Sequence, residues 1–267
     1  FIPEEFWTID ALFEKDIDAS IYDYNGLKID KLTVKTEADA TEIVISAKSE
    51  SFVVASLEKT KRKTKTPPPF MTSTLQQAAS TQLGFSPKKT MMVAQKLYEG
   101  VKTDKGTMGV ITYMRTDSMN LSKEAVTAAR EYIQNNYGDK YLPAKAKSYV
   151  TKSKGAQEAH EAIRPTMVDF DSKTAAGYLS VDELKLYRLI YNRFLACQMT
   201  EAEMESQTLL FKGDKCTFKA SGRKLLFDGF YKVTGHGDKD KLLPELKKGQ
   251  AVSMNDSKQE QHFTEPP

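Results

Sequence analysis

Apolar and polar positions along the chain change their period twice. Phe6–Phe13 and Phe52–Lys59 both have strand-like composition, and Phe52-Val53-Val54-Ala55-Ser56-Leu57 is rich in β-formers. Between them Thr36 can cap a short helix running to about Ala47, which sets Ile43, Val44 and Ala47 on one face. Lys59–Pro69 is a Lys/Arg/Thr-rich stretch ending in three prolines, so it predicts a linker or solvated hinge. From Thr72 the period turns helical. Ser73 or Thr74 can start a helix to about Leu83, closed by Gly84. Ser86-Pro87 is an N-cap followed by proline at the first helical position, and that helix runs to about Tyr98. Lys102–Gly109 predicts a polar loop, followed by a short β-branched strand from Val110. Ser122 opens another helix with Val126, Ala129 and Ile133 at helical spacing, and Pro165 ends a short one. Ser180-Val181-Asp182-Glu183 is a capping box. The helix that it starts reaches about Gln198 and has Leu184, Tyr187, Ile190, Tyr191 and Phe194 on its inner face. After Met199 strands return at Gln207–Phe211, Thr217–Ala220, Leu225–Phe227 and Tyr231–Val233. Sheet, then helices, then sheet predicts an α+β fold in which a helical domain interrupts a discontinuous β domain.

Composition narrows this picture. With 267 residues, 40% of them hydrophobic and 28% charged, the chain can bury two cores. No apolar run approaches the roughly 18 residues of a membrane span. No signal peptide is visible, and no membrane partner is expected. Cys197 and Cys216 fit buried thiols in a reducing compartment and are too few for a zinc site by themselves. The chain opens on Phe1 and stops at Pro266-Pro267, which reads as a piece of a longer polypeptide. Net charge is +3, but residues 72–199 carry 18 Lys/Arg against 12 Asp/Glu. The flanks carry 10 against 13 and 11 against 11. A polyanion would be steered to the middle segment, although a solvated helical surface would have the same charge.

The chemistry concentrates at Val110-Ile111-Thr112-Tyr113-Met114-Arg115-Thr116-Asp117-Ser118. On a strand, residues i and i+2 share a face, which would set a phenol beside a guanidinium. Such a pair suits attack on a phosphate, with the tyrosine as nucleophile and the arginine holding oxygens that gain charge. A core tyrosine next to a surface arginine has the same spacing.

Ile111–Ser118 resembles the active-site segment of bacterial type IA DNA topoisomerases. Three further stretches are similar to that family in the same order. They are Phe70-Met71-Thr72-Ser73-Thr74-Leu75-Gln76-Gln77-Ala78-Ala79-Ser80, Gln157-Glu158-Ala159-His160-Glu161-Ala162-Ile163-Arg164-Pro165 and Phe227-Asp228-Gly229-Phe230. The resemblance covers essentially the whole chain and is most specific between residues 70 and 200. It implies a β-rich arch domain (1–70 and 200–267) with an inserted, mainly helical, winged-helix-like domain (71–199) that bears the active-site tyrosine.

The resemblance also implies a reaction. Tyr113 attacks a single-strand DNA phosphodiester and becomes joined to the 5′ phosphate. Another strand passes, and resealing relaxes negatively supercoiled DNA without ATP. A free tyrosine has a pKa of about 10, so a neighbouring cation such as Arg115 is needed to favour the phenolate. His160 is expected to hydrogen-bond the phosphate or relay a proton near Tyr113. Arg164 either contacts DNA or braces His160. Ser73, Thr74, Gln76 and Gln77 can donate to sugar and phosphate, with helix capping the alternative for the first two. Lys88 and Lys89 can meet phosphates or face solvent. Asp117 is expected to hydrogen-bond locally, to Arg115 or to a turn amide.

The family's Mg²⁺-binding Toprim domain has no counterpart here, so no metal ligand is expected within the chain. Mg²⁺ and its ligands would lie in other parts of the full-length enzyme. The Toprim and DNA-binding base domains would be partners within the same polypeptide, and the piece alone is expected not to relax DNA. A cytoplasmic, nucleoid-associated bacterial location is implied. Two other readings stay open. One is a single-strand DNA-binding module of similar fold without covalent chemistry. The other is a recombinase-type tyrosine transesterase, whose order of catalytic Arg and His residues is not the order seen here.

Overall fold

The computed structural model describes residues 1–150 and 160–267. In chain order it begins with β1 (Glu5–Phe13), β2 (Ile17–Tyr24), β3 (Leu27–Lys28), α1 (Glu37–Ser49) and β4 (Phe52–Thr64). Next come α2 (Thr72–Leu83), α3 (Pro87–Glu99), β5 (Val101–Thr103), β6 (Gly106–Met108) and α4 (Lys123–Tyr137). After these lie α5 (Ser172–Ala175), α6 (Val181–Ala196), β7 (Ala202–Lys212), β8 (Cys216–Phe227), α7 (Tyr231–Thr234), β9 (Ala251–Val252) and β10 (Met254–Phe263). The architecture is mixed α+β. The chain divides into two compact units. One is Phe1–Arg62, Met204–Leu226 and Asp238–Pro267, and the other is Lys63–Glu203 with Phe227–Gly237.

The first unit is built on a sheet with strand order β10-β1-β2-β8-β7-β4-β9, and β3 pairs with β2. β1 and β10 run antiparallel in register from Glu5 opposite Phe263 to Leu12 opposite Asp256, after which the register shifts to set Phe13 opposite Met254. One face of the sheet is closed by α1, whose Ile43, Val44 and Ala47 are buried as its spacing predicts, together with Ala40. Phe13 is fully buried and stacks on Phe211 at 4.4 Å, while Phe52 meets it edge-on at 5.2 Å. These offset and edge contacts are the arrangements that aromatic quadrupoles favour.

The second unit is helical. α3 starts at Ser86, whose side chain accepts from the Lys89 amide, with Pro87 at the first helical position. α6 starts at the capping box of Ser180 and Glu183 and buries Leu186, Tyr187, Ile190, Tyr191, Phe194 and Leu195. Tyr187 donates to the Phe170 carbonyl and Tyr191 to the Val168 carbonyl. Burial pushes both phenols well above the usual tyrosine range. Cys197 and Cys216 are free and buried, and burial pushes each thiol up to about 12.

Several expectations need correcting. The basic stretch through Thr64 belongs to β4 and only the residues after it leave the sheet, because backbone pairing is indifferent to the charges that β4 carries outward. α2 begins at Thr72 with Met71 as N-cap, and Thr74 Oγ1 accepts from the Met71 amide at 2.9 Å, so neither Ser73 nor Thr74 is the cap. The expected loop at 102–109 contains the β5–β6 hairpin. Tyr231–Thr234 is a helical turn rather than a strand. Gly229 just before it has φ +50, and a Cβ there would sit 2.5 Å from the Glu201 carbonyl oxygen, so the chain must fold over at glycine. His160–Pro165 is extended, with Ile163 bridged to Phe70 and Pro165 to Ile111, where a short helix was expected. Gln157, Glu158 and Ala159 of that block lie outside the described residues.

Candidate active site

Tyr113 does not lie on a strand. Only Ile111 forms a β-bridge, and residues 112–118 are irregular. The alternation that suggested a strand nevertheless survives in exposure. Tyr113 and Arg115 face outward and Met114 between them is buried. The loop's own backbone groups explain how it keeps this shape without a ladder.

Two threonines clamp the loop from opposite sides. The Thr72 amide donates to the Thr116 carbonyl at 2.9 Å, and the Thr116 amide donates back to Thr72 Oγ1 at 2.9 Å. Thr72 Oγ1 in turn donates to the Met114 carbonyl at 2.7 Å. On the other side the Thr112 amide donates to the Arg164 carbonyl, and the Arg164 amide donates to Thr112 Oγ1, each at 2.9 Å. Thr112 Oγ1 also donates to the Ala162 carbonyl at 2.7 Å. Tyr113 sits between these clamps, so its position is set by α2 and by the extended 160–165 segment together. Behind it, Gly109 brings the chain against α3: a Cβ there would lie 2.3 Å from the Tyr98 carbonyl oxygen. The Tyr98 ring meets the Tyr113 ring edge-to-face at 5.3 Å.

Tyr113 opens into a surface cavity of about 780 Å³. Arg115, Asp117 and His160 line it, with Thr72, Ser73, Gln76 and Thr116. The Tyr113 side chain is 42% exposed and its hydroxyl makes no hydrogen bond among the described residues. Arg115 is also exposed and forms no ion pair or hydrogen bond there. Asp117 likewise has no such partner, contrary to the expected local bond to Arg115 or a turn amide. Phenol, guanidinium and imidazole therefore share one open cavity, and the phenol and guanidinium spend no donor on the described residues. Such a set can take a phosphate and stabilise charge growing on it.

The other predicted site residues divide. Ser73 and Gln76 line the cavity. Gln76 and Arg115 also border a neighbouring groove with Lys88, Met91 and Met92, which extends the cationic surface along α3. Lys89 ion-pairs with Asp182 at 2.8 Å and lies 4.3 Å over the Phe85 ring. Arg164 pairs with Glu161 and donates through Nη1 to the Pro165 carbonyl, so its guanidinium serves the extended segment. Thr74 is taken up by the start of α2, and Gln77 is exposed outside the cavity. Thr72 and Thr112 were missed as positioning residues, since nothing in their spacing marks a threonine that bonds main chain more than forty residues away.

Among the described residues no three His, Cys, Asp or Glu side chains gather to hold a metal ion. Among the described residues Asp117 is the only carboxylate on the cavity wall, beside Arg115 and His160. A Mg²⁺ ion needs an octahedron largely of oxygens, so the residues present do not fit it. Nor is any described helix long and apolar enough to cross a membrane.

Comparison with known proteins identifies the family of the chain. The chain is 57% identical over all 267 residues to DNA topoisomerase 1 of Campylobacter jejuni and covers 38% of that protein's length. It is 54% identical to DNA topoisomerase 1 of Helicobacter pylori, covering 36% of it. Its fold superposes on full-length topoisomerase I from Thermotoga maritima with a TM-score of 0.81 and 36% identity, covering all of this chain and 42% of the other. The chain thus spans well under half the length of these relatives. A family model described as DNA topoisomerase matches residues 1–267, and the chain belongs to that family.

Proposed function

We propose that this chain carries the nucleophile of a type IA DNA topoisomerase. Its helical unit would be the tyrosine-bearing domain, and its sheet unit part of the arch that opens to let a strand pass. The observation that carries the reading is the clamped loop. It presents an unbonded Tyr113 hydroxyl and an unpaired Arg115 guanidinium to one cavity, while Tyr187 and Tyr191 in the same unit have their hydroxyls spent on carbonyls.

In the proposed step the Tyr113 oxygen attacks the phosphorus of a single-strand phosphodiester. The new O–P bond forms as the bond to the 3′ oxygen breaks. The phenolic proton leaves and the departing 3′ oxygen takes up a proton. Arg115 holds the phosphate oxygens that gain charge, and His160 offers a further hydrogen bond to them. Reversal by the 3′ hydroxyl reseals the strand, so the bond energy is kept and no ATP is needed. Gln76 and Lys88 continue the strand's path along α3. We assign the group that protonates the leaving oxygen, and any Mg²⁺ ligands, to polypeptide outside these 267 residues.

Plasmid relaxation tests this. The chain alone is expected to leave supercoiled DNA unchanged, with or without Mg²⁺. The complete enzyme is expected to relax it, and its Tyr113→Phe variant to have no activity. Robust Tyr113-dependent relaxation by the chain alone would show that half of the active site has been misplaced. Strand binding without any Tyr113-dependent cleavage would leave the protein as a binding module only.

A further inference from the structure

A second cavity in the helical unit plays no part in the proposed chemistry. It holds about 650 Å³ and lies among the end of α2, the outer face of α6 and the segment after α7. Its wall is cationic. Lys185, Arg188 and Asn192 form one stripe of α6 at helical spacing, and Arg193 stands beside them. Lys185 and Arg188 are exposed and make no ion pair or hydrogen bond among the described residues. Among the described residues no Asp or Glu lines the cavity. Leu83, Leu189, Pro67 and the buried Phe230 give it an apolar wall as well, beside Gln82 and Thr234.

His236 also borders this cavity, its ring packed on Tyr231 at 4.4 Å between centroids. Its Nε2 is shut from solvent and meets no hydrogen-bonding partner among the described residues. A buried polar atom left unpaired costs about 1–3 kcal/mol, so such atoms mark places where a partner is missing.

We infer that this cavity is a nucleotide-binding site separate from Tyr113. It would take one phosphate on Lys185 and Arg188 and one base against Leu189 and Phe230, with His236 turning its ring to bond the ligand. Charge and size together select the ligand class. A bare anion would leave the apolar wall unfilled, and an apolar molecule would leave two cations and an imidazole unmatched. A cavity of this volume suits a ligand of nucleotide size. The ligand's source is either a free mononucleotide or one unit of a bound single strand.

The chain has three histidines, so His236 can be followed alone by imidazole ¹⁵N correlation spectra of the protein. Three probes are titrated: thymidine monophosphate, a short oligothymidine and inorganic phosphate. The inference expects His236 to shift with the nucleotide, the strand or both, at concentrations where phosphate gives no shift. Response to the mononucleotide identifies a free-nucleotide site, and response to the strand alone a strand contact. Arg188→Glu with Lys185→Glu alters exposed positions only and should weaken the response at least about tenfold, the effect of about 1.4 kcal/mol of lost binding. Tyr113→Phe should leave it unchanged, which separates this site from the nucleophile assignment. A silent His236, an equal response to phosphate, or a response that survives the double charge reversal would overturn the inference.

Discussion

Tyr113 and Tyr187 belong to the same helical unit and carry the same phenol, yet their surroundings have opposite consequences. Tyr187 is fully buried on the inner face of α6, its hydroxyl donated to the Phe170 carbonyl and its pKa driven up by desolvation. Tyr113 stands on an irregular loop with its hydroxyl unspent, beside a guanidinium that is also unspent. The first arrangement contributes stability and removes reactivity. The second gives up a hydrogen bond and a buried ring and keeps both groups available for a phosphate. What lets an exposed loop hold such a pair is backbone bonding to Thr72 on one side and to residues 162–164 on the other.

Substitutions can sharpen that contrast. The largest effect is expected from Tyr113→Phe in the complete enzyme. Strand cleavage should vanish while the thermal midpoint stays where it was, because the lost hydroxyl bonds nothing in the fold. Residual cleavage at wild-type rate would end the assignment. Arg115→Ala should slow cleavage by about 10²- to 10³-fold, the scale for one lost oxyanion donor, as single-turnover kinetics on an oligonucleotide would show. Arg115→Lys should recover only part of this, since the planar fork is lost.

Thr72→Val keeps the shape of the side chain and removes the hydroxyl that bonds residues 114 and 116. Cleavage should fall about ten- to a hundredfold, the cost of a misplaced reacting group, with strand affinity unchanged. A fall in affinity and rate together would point to a contact with DNA instead. The smallest catalytic effect is expected at the other tyrosine. Tyr187→Phe leaves the Phe170 carbonyl short of a donor, about 1–2 kcal/mol, with a melting midpoint about 2–4 °C lower for each kcal/mol and a cleavage rate unchanged. Calorimetry beside the cleavage assay would check both halves of that expectation.

The same contrast explains what could be read from the sequence. α3 and α6 declare themselves because their caps are local: Ser86-Pro87 and the Ser180–Glu183 box each lie within four residues. β10 does not, since Met254–Phe263 has almost no apolar pattern of its own and is a strand by virtue of its register with β1. The helical turn at Tyr231 follows from a close approach of Gly229 to Glu201, which a β-branched composition hides. Around Tyr113 the motif supplied the residues proposed to meet phosphate, and the cavity brings together Tyr113, Arg115, His160, Ser73 and Gln76. Thr72 and Thr112 were not legible as clamps, because their partners are distant main-chain atoms.

The most direct test of the account is to identify the atom that becomes covalently joined to DNA. The complete enzyme is incubated with a labelled single strand, stopped with denaturant and digested, and the nucleotide-bearing peptide is sequenced by mass spectrometry. The account predicts a 5′-phosphoryl nucleotide on Tyr113, absent from the Tyr113→Phe variant. An adduct on any other residue, or cleavage that proceeds with no adduct, would contradict it.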